Sequence, residues 1–414
     1  MARAPLDRFL TWLLLPAALA LVASALTLSR HAHTGLSLRE GRVATVVPGG
    51  PGDRAGLLPG DLLRRTGSAA GAFSSDVLEH AVPGRPMDLV RERAGRSAPV
   101  WLVPEALPGA ERRFRSLLIT VACVFLLLGG WVWSERRDRL ARVFLLLCIA
   151  FSGMLTPSPS FESRGWQFAY DLGFNAAQLC TPVLFAHFFA LFPEPPRRTR
   201  ALWVVRTGYA LAATLFVAWI GVGAESVWGT GRWSAALPQL SSWSAALFLA
   251  GILAGLVLFG ISFSRARSTD ARRRLRVAFF GTLLGAAPIA TLIAVRNLSP
   301  NTPIAGERAI VATVLLVPAS FAWAIAVHRV FDFRVALRAG ATTLLVGAAA
   351  FATYLLGEWI AHTWWPALGQ DVSGVSLALL ALVAALAGPS RPWLISLGER
   401  VVPIAGEVPL ASWT

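Results

Sequence analysis

Asp171, Asn175 and Gln178 stand at i, i+4 and i+7 inside the apolar block Trp166–Phe192. On a helix of 3.6 residues per turn that spacing lines a carboxylate and two amides along one face. An ionisable group among membrane-length apolar residues is costly and marks a functional site by default. The chemistry open to the stripe is a proton-coupled path or a polar ligand pocket; the plainer reading is a hydrogen-bond cluster between helices near the outer boundary. His187 falls on nearly the opposite side of the same helix, and Glu358 falls where a later block leaves the membrane. Catalytic signatures are missing. There is no HExxH for zinc and its base, Ala186-His187-Phe188-Phe189 has no Glu, and no GxSG-type nucleophile or Walker phosphate loop occurs. Cys123, Cys148 and Cys180 each sit inside an apolar block with no CxxC or Cys/His spacing. An enzyme, a metal and a cofactor are therefore not expected.

The elements that would hold such a stripe are apolar blocks. Of the 414 residues 55% are hydrophobic and the mean hydropathy is +0.58. A span takes about 20 mostly apolar residues. Candidates are Phe9–Leu28, Leu117–Trp133, Leu140–Leu155, Trp166–Phe192, Ala201–Val222, Ser242–Phe263, Val277–Val295, Ala309–Val327, Ala339–Ile360 and Val372–Ala387, about ten in all, with Leu140–Leu155 the shortest. The first block follows Arg3 and Arg8 and reads as an anchor or as a signal peptide. Gly251-xxx-Gly255 and Gly281-xxx-Gly285 would let neighbouring helices approach closely.

The net charge of +15 comes from 38 basic residues, all Arg, against 23 acidic ones. Such an excess suits nucleic acid or a membrane topology, and its distribution favours the second. Arg136, Arg137, Arg139 and Arg142, then Arg197, Arg198 and Arg200, then the 265–276 cluster, then Arg329, Arg334 and Arg338 fall in alternate connectors. The other connectors hold only Arg164, Arg232, Arg296 and Arg308. With ten spans the positive-inside rule puts the Arg-rich set and both termini in the cytoplasm. The partners implied are membrane lipid and no nucleic acid.

Between the first two blocks lies a segment of another kind, residues 31–108. Val43, Val46 and Val47 favour a strand, Pro48-Gly49-Gly50-Pro51-Gly52 breaks it, Asp53 can cap a brief helix that Gly56 ends, and Pro59-Gly60-Asp61 is a turn. The series Pro48-Gly49-Gly50-Pro51 with Ala55-Gly56-Leu57-Leu58-Pro59-Gly60-Asp61 resembles the core of bacterial PDZ domains. That resemblance implies a small β-barrel domain containing α and β elements. Its ligand-side strand would be Gly35, Leu36, Ser37 and Leu38, with a groove helix over Ser74–Ala81 that presents Val77, Leu78 and Ala81. Met87–Val90 and Val100–Val103 would close the sheet around an Arg93-Ala94-Gly95-Arg96 turn. A peptide or protein C-terminus would bind by strand addition; the alternative is a PDZ-like module used only for packing.

Two further stretches stand out, His187-Phe188-Phe189-Ala190-Leu191-Phe192-Pro193-Glu194 and Val327-His328-Arg329-Val330-Phe331-Asp332-Phe333-Arg334. They resemble runs in the multi-span input regions of bacterial sensor histidine kinases and related phosphatases. That family implies a cytoplasmic kinase or phosphatase output. No histidine follows His362 and no Asn- and Gly-rich ATP site occurs, so the expectation is an input half that is interrupted or acts through a separate cytoplasmic partner. The fold class expected is a polytopic α-helical membrane protein with the PDZ-like domain outside. Its parts are an anchor (1–30), the domain (31–108), a helical membrane portion (115–390) and a cytoplasmic tail (391–414). The function expected is sensory input; a transporter built on the polar stripe and a PDZ scaffold are the alternatives.

Overall fold

The computed structural model describes residues 4–39, 42–65, 78, 81–159, 161, 163–192, 199–228, 233, 236–265, 275–285, 288, 310 and 313–320. Leu10, Leu14, Ala18, Leu21 and Ala25 recur every three or four residues, the spacing of one helix face. The chain forms helix α1 over Ala4–Leu26 and buries that face, leaving Trp12, Leu15, Leu19 and Leu26 on the outside. A short 3-10 turn, Leu28–Arg30, leads out of it.

The segment that follows is a small antiparallel β unit. Strands β1 (Ala32–His33), β2 (Leu36–Arg39), β3 (Arg42–Val46), β4 (Leu62–Arg65), β5 (Met87–Arg93), β6 (Arg96–Leu102) and β7 (Glu105–Ala106) come in chain order, with helix α2 (Pro51–Arg54) between β3 and β4. The main sheet runs β2-β3-β4-β5-β6, and β1 pairs separately with β7, so the entry and exit of the unit are tied together. Val43, Leu57, Leu63, Leu78, Leu89, Val100 and Leu102 form its core. The β5–β6 hairpin turns at Ala94-Gly95, and β6 carries Pro99 opposite Val90. Gly50, not Asp53, is the residue that precedes α2; Pro51 takes the first helical position, where its missing N–H costs nothing. The Asp53 carboxylate instead accepts the Gly49 N–H at 2.8 Å. Of the expected groove helix, residues 74–77, 79 and 80 lie outside the described residues.

The helical portion comprises α3 (Gly109–Glu135), α4 (Arg139–Leu155), α5 (Arg164–Leu191), α6 (Thr199–Trp228), α7 (Leu237–Arg265) and a shorter apolar helix, α8 (Leu275–Gly285). Among the described residues four stretches, Glu111–Ser134, Gly165–Leu191, Leu202–Glu225 and Gln239–Ser264, are long and apolar enough to cross a membrane. The apolar part of α1, Trp12–Leu26, is shorter. Helix α4 has 17 residues, which rise about 26 Å against a hydrocarbon core of about 30 Å. The blocks Ala339–Ile360 and Val372–Ala387, and about half of Val277–Val295 and of Ala309–Val327, lie outside the described residues.

Helix α5 is the hub: it packs against α4, α6 and α7, while α1 packs against α3 and α4. The expected close approach of small residues is present. A Cβ on Gly251 of α7 would stand 2.6 Å from the Pro182 Cβ of α5, and one on Gly255 would stand 2.5 Å from the Phe185 Cδ1. Gly281 and Gly285 face residues 313–320 in the same way. Outward faces of α6 and α7 stay apolar, with Trp203, Leu211, Val217, Leu249, Leu253 and Val257 exposed, as a lipid-facing surface requires.

Candidate functional site

Gly35 has φ +67°, a conformation that L side chains rarely adopt, and an added Cβ would meet the Pro51 Cδ at 3.2 Å. Its carbonyl accepts the Val47 N–H at 2.8 Å and the Thr34 carbonyl accepts the Gly52 N–H at 2.9 Å. The turn that launches β2 is thereby stitched to the loop before α2. From there the chain alternates as a half-buried strand does. Leu36 and Leu38 turn inward onto the core of the unit, and Ser37 turns out to meet Thr45, Oγ to Oγ1, at 2.6 Å. A bulge falls between Ser37 and Leu38. β2 is a terminal strand, so among the described residues its outer backbone edge has no partner strand. An exposed edge beside a glycine turn has the geometry to accept an extended peptide. Leu78 is a buried core residue, and Ala81 lies buried in the turn after it, with its N–H on the Leu78 carbonyl at 3.3 Å. Val77 lies outside the described residues.

The Ala55–Asp61 run stiffens this unit. Gly56, at φ +71°, ends α2, and its carbonyl accepts from Arg91 Nη1 and Arg93 Nη2. Asp61 is buried; its Oδ1 accepts from Arg93 Nε at 2.6 Å, and its Oδ2 accepts from Arg93 Nη2 at 2.7 Å and from the Leu58 N–H at 2.8 Å. The Arg93 guanidinium holds the Asp61 carboxyl below its ordinary range, and burial opposes it more weakly.

The expected polar stripe occupies the start of α5. Asp171 is exposed and accepts from Gln167 Nε2 at 3.0 Å, while Asn175 Nδ2 donates to the Asp171 carbonyl at 2.8 Å. Gln178 is half-buried one turn before Pro182, which lacks an N–H, so the Gln178 carbonyl has no donor at i+4. The structure extends the stripe in a direction the sequence did not indicate. Gln167 Nε2 also lies 3.2 Å from Ser158 Oγ in the α4–α5 connector, and the Ser158 carbonyl lies 2.7 Å from His31 Nε2. Tyr170 fixes the same connector through its hydroxyl, which donates to the Thr156 carbonyl at 2.8 Å. The chain of contacts His31–Ser158–Gln167–Asp171 thus runs from the root of the β unit into the hub helix. Gln167 was findable, because it stands one turn before Asp171 on the same face. His31 and Ser158 carried no signal, being 127 positions apart.

At the far end of α5, three consecutive residues engage three helices. His187 Nδ1 lies 3.1 Å from the Tyr209 hydroxyl of α6. The Phe188 ring lies 6.0 Å from Phe144 of α4, and Phe189 lies 4.8 Å from Phe259 of α7. The His187–Phe192 motif is therefore a packing node.

No family model matches the chain, and no curated protein or solved structure is significantly similar to it.

Proposed function

We propose that the chain is a sensory input protein of the cell membrane. In this reading residues 31–108 are an extracytoplasmic PDZ-like domain, about ten helices cross the membrane, and both termini face the cytoplasm. An extended C-terminal peptide adds along β2, its carboxylate is held at the Thr34–Gly35 turn, and the altered domain shifts the packing of the helices around α5. A cytoplasmic kinase or phosphatase reads that shift at the Arg-rich connectors. The observation that carries the proposal is the outer edge of β2, which has no partner strand among the described residues and directly follows a left-handed glycine. The contacts from His31 to Asp171 support a route from domain to bundle. Such coupling needs two helix arrangements that differ in peptide affinity.

The test is peptide binding to the full-length protein in nanodiscs, using a library of fluorescent hexapeptides with apolar C-terminal residues. Expected are hits that lose at least tenfold in affinity when their C-terminus is amidated. Gly35→Val, which imposes strain at φ +67°, abolishes the same hits. Binding indifferent to both changes, or no hit at all, overturns peptide recognition at β2.

A further inference from the structure

His31 follows the 3-10 turn after α1 and is only 4% exposed. Its Nδ1 lies 2.9 Å from the Thr27 carbonyl oxygen and its Nε2 lies 2.7 Å from the Ser158 carbonyl oxygen. A carbonyl oxygen accepts and never donates, and a neutral imidazole carries a single N–H. A neutral ring in this position serves one carbonyl and turns a lone pair toward the other. Only imidazolium donates to both. We propose that His31 is an extracytoplasmic proton-binding site: the bound proton latches the root of the β unit to the α4–α5 connector, and its loss releases the latch.

The surroundings allow this. A cavity of about 250 Å³ opens beside His31, walled by Phe114 and Leu118 of α3 and by the connector. It is large enough to admit water, which can deliver and remove a proton. Among the described residues, the charged groups of that cavity are Glu111 and Arg115, paired Oε1 to Nε at 3.3 Å. The carboxylate favours imidazolium and the guanidinium opposes it. Arg30, next in the chain, is exposed and screened by water. From α5, Tyr170 gives its hydroxyl proton to Thr156, in the same connector. Burial disfavours the charge, and the two short bonds, which exist together only in the charged form, favour it.

The sign follows. Two carbonyl acceptors favour the imidazolium over the neutral ring. The latch's contribution is present while the proton is bound and is lost as rising pH removes it. The latch is therefore closed in acid and open in alkali. It stands without the peptide reading, because a proton alone loads it.

The test uses the full chain in nanodiscs with ¹⁵N-labelled histidine. Replacing the other five of the six histidines leaves His31 as the only label. Expected is a spectrum with both ring nitrogens protonated at pH 7 and a midpoint at least one unit above the ordinary value. A neutral tautomer at pH 7 overturns the proposal. Hydrogen exchange over 27–33 and 156–159, corrected for the intrinsic pH dependence, reads the latch itself. Expected is a tenfold loss of protection between about pH 6.5 and 9 in the parent chain and none in His31→Gln. Equal behaviour of the two chains overturns it. Both readouts are taken without peptide, so failure of the peptide reading leaves them unaffected.

Discussion

Asp61 shows how one side chain holds a turn that local propensity only permits. Pro59-Gly60 bends the chain, and the buried carboxylate fixes the bend by taking the Leu58 N–H and both arms of the Arg93 fork. Because Arg93 depresses its pKa, the carboxylate stabilises the folded state above the unfolded value of about 3.9, and that contribution fades as pH falls through the lower folded value. Asp61→Asn keeps the shape but loses the charge-assisted bonds to Arg93, and with them stability. Thermal unfolding of the full-length protein in detergent, followed by protease cleavage within 42–102, is expected to show that loss at pH 7. The variant is expected to show a flatter acid dependence than the parent. The turn was legible in the sequence because Pro-Gly-Asp encodes it locally. The ion pair was not, since Arg93 reaches Asp61 only after β5 takes its register on β4. His31 is hidden for the same reason on a longer loop.

At the scale of elements, apolar periodicity and small-residue spacing were readable, and partners were not. The stripe Leu10–Leu14–Ala18–Leu21–Ala25 states which face of α1 is buried, but nothing in it names α3 and α4 as the surfaces it meets. Gly251-xxx-Gly255 likewise announced a close approach, and the structure supplies Pro182, Phe185 and Ala186 of α5 opposite it. Gly255→Leu forces a side chain into that contact and is expected to cost about 1–3 kcal/mol by overpacking. Gly260→Leu, where an added Cβ meets nothing within 4 Å, is expected to stay within about 0.5 kcal/mol of the parent. Paired melting curves in one detergent check both, and equal losses would remove the α5–α7 contact from the account. Span lengths were less legible: block edges in the sequence do not show that α4 stops at Leu155, where the chain turns through Thr156 and Pro157.

For the whole molecule the sequence carries one global pattern, the alternation of Arg-rich and Arg-poor connectors. Reporter fusions give it a direct reading. Green fluorescent protein joined after Asp138 is expected to fluoresce, and alkaline phosphatase joined after Ser158 is expected to be active, each with the opposite reporter silent. The reverse pattern would place the β unit in the cytoplasm and overturn the proposed orientation. The distribution of buried surface was not readable at this scale. α5 is covered on several sides while α6 and α7 expose apolar rows, and only packing decides which apolar helix becomes the centre.

The sheet has two terminal strands, and they are not equivalent. β6 carries Pro99, which has no N–H to offer; β2 carries no proline. A domain open at both edges could join copies of itself end to end and crosslink the membrane surface into fibrils. With the β6 edge blunted, a second copy finds no regular row of donors there to pair with. Growth from copy to copy along the sheet, β2 of one onto β6 of the next, is thereby broken at β6, and the membrane surface is spared a fibril seeded by this domain.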